Sequence, residues 1–387
     1  MLQGHVHPDF APVARELRRA LTHRSSDPGG AALAVYHRGE LVVDAWGGTR
    51  DAAGDPWTRD TAALSFSTTK GVVATIVHRL VDRGLIDVDA PVAEYWPEFA
   101  AAGKASVTVR HLLSHDAAMH RLRGLVDDAY GMLDWDAVVA ALAAAEPAWA
   151  PGTRMGYHGV TYGWLVGEVI RRVTGGSVDD ALAREVVEPL GLGEMHIGWP
   201  ADRREERADL LVELSPTARF EAGTHRAERI GALRPAIDAF VVPAFTDFIR
   251  SDAVYEAELP ALNGCFRARD LARLYSVLAA DGLDGTTRYL GADTLRRATT
   301  VQRPGRRPDA VVGFPMAWRL GYHMGATARG VIPNAFGHFG FGGSGAWASP
   351  DDDLAVAFTC NRVAGTPFGD FRMLRIGAAA RRAARAR

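Results

Sequence analysis

Strand-type patterns stand at both ends of this 387-residue chain, and helix-type patterns fill the stretch between them. Near the start, residues 31–46 form two apolar runs around His37-Arg-Gly-Glu40, which reads as the turn of a β-hairpin. From about residue 310 the strand patterns return, at 316–322, 337–340, 346–349 and 354–360. Between them, 71–83, 134–145, 160–174 and 178–187 carry helical signals, several closed by Gly or Pro. Further helices are expected over 8–22, from the spacing of Phe10, Val13, Leu17 and Leu21, and over 267–281. A closing helix is expected over 370–387, with an Arg-rich end that suits the negative end of a helix dipole. The expected fold is therefore α+β: one antiparallel sheet assembled from both chain ends, flanked by helices, with a largely helical region inserted. The division that follows is a sheet domain over 1–70 and 256–387 and a mainly helical domain over 71–255. The segment 200–225, rich in Arg and Glu, reads as a solvated surface excursion.

A net charge of -2 gives no bulk attraction to nucleic acid or anionic lipid. No apolar run reaches the ~18 residues of a membrane span. The first ten residues lack a basic stretch followed by an apolar core, so a cytoplasmic location is expected. Two cysteines, Cys265 and Cys360, indicate no disulfide framework and read as buried thiols. Of the 44 basic residues only Lys70 and Lys104 are lysine. Arginine keeps its proton near neutral pH, whereas a desolvated lysine can release it, so a proton-accepting role would explain Lys70. Lys104, in a polar connection, reads as a solvated charge.

Ser67-Thr-Thr-Lys70 opens a helix whose apolar stripe is Val73, Ile76, Val77 and Leu80, with Gly84 as its stop. Residues three apart share a helix face, so Ser67 and Lys70 project together. Near the helix start, Ser67 also meets unpaired backbone N–H groups and the positive dipole end, which favour an alkoxide or an oxyanion. Serine is a common N-cap, and a bare Ser-x-x-Lys is more simply read as a cap with a solvated lysine. The order of motifs along the whole chain reverses that preference.

Those motifs are Ser67-Thr-Thr-Lys70, Arg83-Gly-Leu-Ile-Asp-Val-Asp-Ala-Pro-Val-Ala-Glu-Tyr-Trp-Pro97 and Val107-Thr-Val-Arg-His-Leu-Leu-Ser-His115. Pro151-Gly-Thr-Arg-Met-Gly-Tyr157, Glu188-Pro-Leu-Gly-Leu192 and Gly337-His-Phe-Gly-Phe-Gly-Gly-Ser344 follow. In this order the chain resembles, over about residues 10–370, the serine β-lactamase and penicillin-binding protein superfamily, especially its class C-like esterase branch, the family VIII carboxylesterases. The resemblance implies a β-lactamase-like fold with Ser67 as nucleophile. It also implies that Tyr157 supplies a phenol that shares the Ser67 proton with Lys70 and returns it to the leaving group. Which of the two is the formal base stays open at this point. His338 is expected to border the site, with His158 and Gly340 as further substrate contacts. The N–H groups of Ser67 and Phe341 are expected to form the oxyanion hole. Gly159 stands where the family usually has Asn; losing that amide shifts the expected substrate from amides towards esters.

Gly342-Gly-Ser344-Gly-Ala346 approaches the nucleophile elbow of α/β-hydrolases, but its last position is Ala and no histidine follows His338. His111, His115, Asp116 and His120 read as a structural cluster rather than a metal site. No phosphate-binding or dinucleotide-binding glycine loop is present. The expectation is thus a carboxylesterase-type serine hydrolase acting on a small-molecule ester, with no cofactor and no metal. A homo-oligomer is compatible with the sequence. Hydrolysis of β-lactams or D-amino-acid peptides, or acyl transfer, would use the same residues; a non-catalytic binding protein of the same fold is the alternative from another class.

Overall fold

Leu354-Ala-Val-Ala-Phe-Thr-Cys360 alternates large and small side chains, and this alternation explains how the layers stack. The computed structural model describes residues 2–22, 29–212, 231–305, 307–363 and 370–387. Its main sheet has seven strands: β1 (Gln3–Val6), β2 (Gly30–His37), β3 (Glu40–Gly48), β4 (His323–Thr327), β5 (Gly330–Phe339), β6 (Gly345–Ser349) and β7 (Leu354–Cys360). Their spatial order is β1-β3-β2-β7-β6-β5-β4, with every neighbouring pair antiparallel. The two chain ends meet where β2 pairs with β7, from Leu354 opposite His37 to Cys360 opposite Ala31. This is the α+β architecture expected from the sequence, with one antiparallel sheet assembled from both chain ends.

The helices that matter for the site are α1 (Ala11–Thr22), α2 (Thr68–Asp82), α3 (Tyr162–Thr174), α4 (Ala268–Ala279) and α5 (Arg372–Ala386). On one sheet face Leu33, Val35, Trp347, Val356 and Phe358 share a core with Leu17 of α1 and Ile376 of α5. On the other face Ala34, Ala346, Ala348, Ala355 and Ala357 join a larger core that also holds the buried residues of α2, α3 and α4. Small side chains let helices lie close to the strands, and α4 packs on β2, β6 and β7 while α2 packs against β5. One face of the sheet is thus built to receive the helix that carries Ser67.

Helix α2 ends as its sequence requires. Gly84 adopts φ +71, and the Leu85 N–H donates to the Leu80 carbonyl at 2.9 Å. Other segments depart from expectation. Residues 316–322 are irregular, and the strand starts only at His323. Ala317 (φ +47) and Gly321 (φ +82) break the extended chain, while the Arg319 guanidinium turns inward onto the carbonyls of Thr299, Ala317 and Pro333. Within 200–225, residues beyond 212 lie outside the described ones. Before that point the segment is not simply solvated: Arg207 is 3% exposed and pairs with Ala62 in a second sheet. That four-stranded sheet, ordered Met195–Ile197, Gly264–Phe266, Ala62–Leu64 and Arg207–Ala208, has strands too short for a periodic signal.

Lys104 is the clearest correction. It is 0% exposed, and its Nζ donates to the carbonyls of Ala101, Ala143 and Ala145 at 2.9, 2.9 and 2.6 Å. It closes the C-terminal end of the helix Trp135–Ala144, where carbonyls lack intrahelical partners and the dipole favours a cation. Among the described residues no helix is long and apolar enough to cross a membrane.

Candidate active site

The short strand Ala62–Leu64 turns into α2 through Ser65 and Phe66. Phe66 has φ +45, a left-handed conformation that costs a non-glycine residue roughly 1–2 kcal/mol. The turn is held by its own packing. The Phe66 ring meets Phe341 edge-on at 5.3 Å, and the Phe66 carbonyl accepts the Thr69 N–H at 3.0 Å and the Thr69 hydroxyl at 2.6 Å. The result is a half-buried Ser67 at the head of the helix, followed by fully buried Thr68, Thr69 and Lys70. Ser67 makes no side-chain cap bond, so its hydroxyl is not spent on the helix.

Two groups converge on that hydroxyl. Lys70 Nζ lies 2.9 Å from Ser67 Oγ, and the Tyr157 hydroxyl donates to the same oxygen at 2.9 Å. Lys70 also donates to the Ala261 carbonyl at 2.8 Å and lies 5.2 Å over the Tyr157 ring. It is 0% exposed, with no carboxylate against it among the described residues, and this burial alone holds its amine well below the usual lysine range. Burial pushes the Tyr157 phenol up, partly opposed by its hydrogen bond to Ser67, so Tyr157 keeps its proton at neutral pH.

Tyr157 is fixed by residues that sequence reasoning missed. Asp309 Oδ1 accepts the N–H groups of Tyr157 (3.2 Å), Val311 (2.8 Å) and Val312 (3.0 Å), while Oδ2 accepts the Trp318 indole N–H at 2.8 Å. The Trp318 ring in turn stacks on Tyr157 with centroids 5.1 Å apart and planes 16° apart. His338 flanks Tyr157 at 6.1 Å on β5. It is 2% exposed and its Nδ1 is tied to the Phe339 carbonyl at 3.0 Å; Nε2 is buried without a hydrogen-bond partner among the described residues. Burial is the main cause that holds His338 well below the usual imidazole range, so it is a neutral neighbour of Tyr157.

Gly340 explains how the end of β5 reaches the turn that leads into Ser67. A Cβ there would lie 2.2 Å from the Ser65 carbonyl oxygen and 3.1 Å from Thr68 Oγ1. This close approach places the next residue, Phe341, with its ring edge-on against Phe66, the residue that precedes Ser67. His158 is a correction: rather than facing a substrate, it is 0% exposed, and its Nε2 accepts the Met119 N–H at 3.0 Å. Burial pushes it down to about 3, and its neighbour His115 packs between Tyr157 and Trp318 at 4.9 and 4.3 Å. The other residues of that histidine-rich stretch go to separate partners. His111 closes a capping box with Thr108, Asp116 pairs with Arg303, and His120 stacks on Trp149. Ser344 is buried, its Oγ accepting the Cys360 N–H at 3.2 Å.

A buried lysine and a buried phenol on one half-exposed serine, at the seam of an antiparallel sheet and a helical layer, define a serine-centred protein of β-lactamase-like fold. The chain matches the Beta-lactamase family over residues 17–381 and belongs to it. It is 38% identical over 367 residues to the Esterase/beta-lactamase LipL of Mycobacterium tuberculosis (strain ATCC 25618 / H37Rv), a match spanning 93% of this chain and 83% of the relative. Among solved structures, a family VIII carboxylesterase superposes with a TM-score of 0.86 at 38% identity, covering 99% of this chain and 100% of the other. A penicillin-binding protein homologue from Caulobacter crescentus superposes with a TM-score of 0.84 at 34% identity, covering 98% and 100% respectively.

Proposed function

We propose that this protein is a carboxylesterase that cleaves small-molecule esters through an acyl-enzyme on Ser67. The observation that carries the reading is the convergence of Lys70 Nζ and the Tyr157 hydroxyl on Ser67 Oγ, each at 2.9 Å. A neutral Lys70 takes the Ser67 hydroxyl proton as Oγ bonds to the ester carbonyl carbon. The N–H groups of Ser67 and Phe341 hold the resulting oxyanion; neither is tied up in the backbone bonding of α2 or of the Phe341–Gly343 turn. Collapse breaks the bond to the alcohol oxygen, which takes the Tyr157 proton, and Lys70 restores that proton. Water then attacks the acyl-enzyme by the same route, releasing the acid.

Lys70 is taken as the base and Tyr157 as the relay in this reading, because burial lowers the lysine amine and raises the phenol. The relatives described as an esterase/beta-lactamase and a family VIII carboxylesterase support ester chemistry. Division of labour between a sheet part (1–70 with 256–387) and a helical part (71–255), with Ser67 at the junction, belongs to the same proposal. So does a cytoplasmic setting, which the two buried free thiols support.

Turnover of p-nitrophenyl esters and of nitrocefin by the wild type and Ser67→Ala tests this. Ester hydrolysis that falls by at least ~10³-fold in Ser67→Ala is expected. Full activity in Ser67→Ala, or no ester turnover by the wild type, overturns the proposal; nitrocefin as the better substrate would replace it with a β-lactamase reading.

A further inference from the structure

Position 159 carries no side chain, yet the space beside it is taken. A Cβ on Gly159 would lie 2.0 Å from Phe240 Cε1, 2.6 Å from Cζ and 2.9 Å from Cδ1. Carbon atoms in contact keep roughly 3.5–4.0 Å, so the Phe240 ring and any side chain at 159 exclude each other. Phe240 closes the helix Arg234–Phe240 and is half-buried. Its ring centroid is 6.0 Å from that of Tyr157, and it packs with both the main core and the small cluster of Tyr157, Ala239, Val311 and Trp318. The Gly159 N–H is turned back onto the Tyr157 carbonyl at 2.9 Å, so the backbone here offers that donor to no ligand. On the side of Tyr157 that Phe240 faces, the wall is therefore hydrocarbon.

Resting on the esterase reading above, we infer that Phe240, seated in the notch of Gly159, is the residue that sets acyl-group specificity. Its ring forms the surface against which the acyl chain of the ester lies once Ser67 is acylated. A short apolar acyl chain is sheltered from water by that ring, whereas a longer one runs into it and is excluded. An acyl group bearing an amide nitrogen or carbonyl next to the ester loses its water there and finds neither donor nor acceptor, so it is rejected. Ring length, rather than a hydrogen-bonding side chain, sets the depth of the acyl site.

The test compares kcat/KM for p-nitrophenyl esters from acetate to octanoate, and for an N-acetylamino-acid p-nitrophenyl ester. The proteins are wild type, Phe240→Ala, Phe240→Leu and the double variant Gly159→Asn/Phe240→Ala, each titrated at Ser67 with a fluorophosphonate so that rates refer to folded enzyme. Removing the ring should raise the octanoate-to-butyrate ratio by about 10-fold, with Phe240→Leu in between. Adding Gly159→Asn to Phe240→Ala puts an amide into the vacated space. The ratio of acylamino ester to plain ester should then rise by about 10-fold over Phe240→Ala alone. Should Phe240→Ala fail to fold, the acyl-length ratio of Phe240→Leu decides. Unchanged ratios in Phe240 variants that still label at Ser67 overturn the inference while leaving the esterase proposal intact. A wild type that labels at no serine and hydrolyses no ester removes both.

Discussion

Lys70 has no charged neighbour among the described residues to justify its burial, and that fact sets the pH behaviour of the site. Its amine is held below the usual lysine range by desolvation, so the free base that the proposed mechanism requires forms at lower pH than in water. Ester hydrolysis should therefore rise with pH through the lowered Lys70 value and then level off, since deprotonation favours the base. Lys70→Arg, which cannot release its proton, should lose that rising limb and about 10²–10⁴-fold in kcat; a pH–rate profile of labelled enzyme checks both. An unchanged profile in Lys70→Arg would contradict the assignment of Lys70 as base. At this scale the sequence was legible where chemistry and local geometry coincide. Ser67 and Lys70 are three residues apart on one helix, and a lysine in an arginine-rich chain draws notice. Asp309, Trp318 and the Ala261 carbonyl were not legible. They reach the site from more than 150 residues away, and a backbone oxygen leaves no mark in the residue pattern.

The helix Trp135–Ala144 depends on a side chain from outside its own span. Lys104 supplies three donors to the carbonyls of Ala101, Ala143 and Ala145 in a site closed to water. Lys104→Met should leave those carbonyls unsatisfied and cost about 3 kcal/mol, read as a lowered urea midpoint with an unchanged slope. A midpoint within error of wild type would mean that the helix end finds other partners. Elements with a sustained period were readable: α2, α4 and β7 emerge close to their expected spans because one face of each must be buried. The irregular 316–322 segment misled because Trp318 and Arg319 look like strand residues. Their side chains instead satisfy Asp309 and three carbonyls, and a tertiary polar network outweighed the local pattern. The second sheet escaped for the opposite reason, since two- and three-residue strands contain too few alternations to register.

The molecule as a whole encloses several buried histidines that stay neutral well below the usual imidazole range. Burial pushes His78, His120 and His323 down to about 4 and His158 to about 3. In the unfolded chain each titrates near ~6.5. As pH falls below ~6.5 the unfolded state takes up protons that the folded state refuses, so stability falls until about pH 4 to 3. Guanidinium unfolding at pH 7.5, 6 and 5 should give steadily lower midpoints; equal midpoints would mean that these rings are charged inside the fold. The whole-molecule plan was visible in the sequence because the strand patterns sit at the two ends and the sheet must join them. The pairing of β2 with β7 closes that join. A last property follows from the burial of Lys70 and Lys104, which are the only lysines in the chain. The folded surface presents guanidinium groups but no ε-amine, so activated acyl groups released near this protein find no lysine to decorate. Reagents that acylate ε-amines will report its unfolding rather than its outer face.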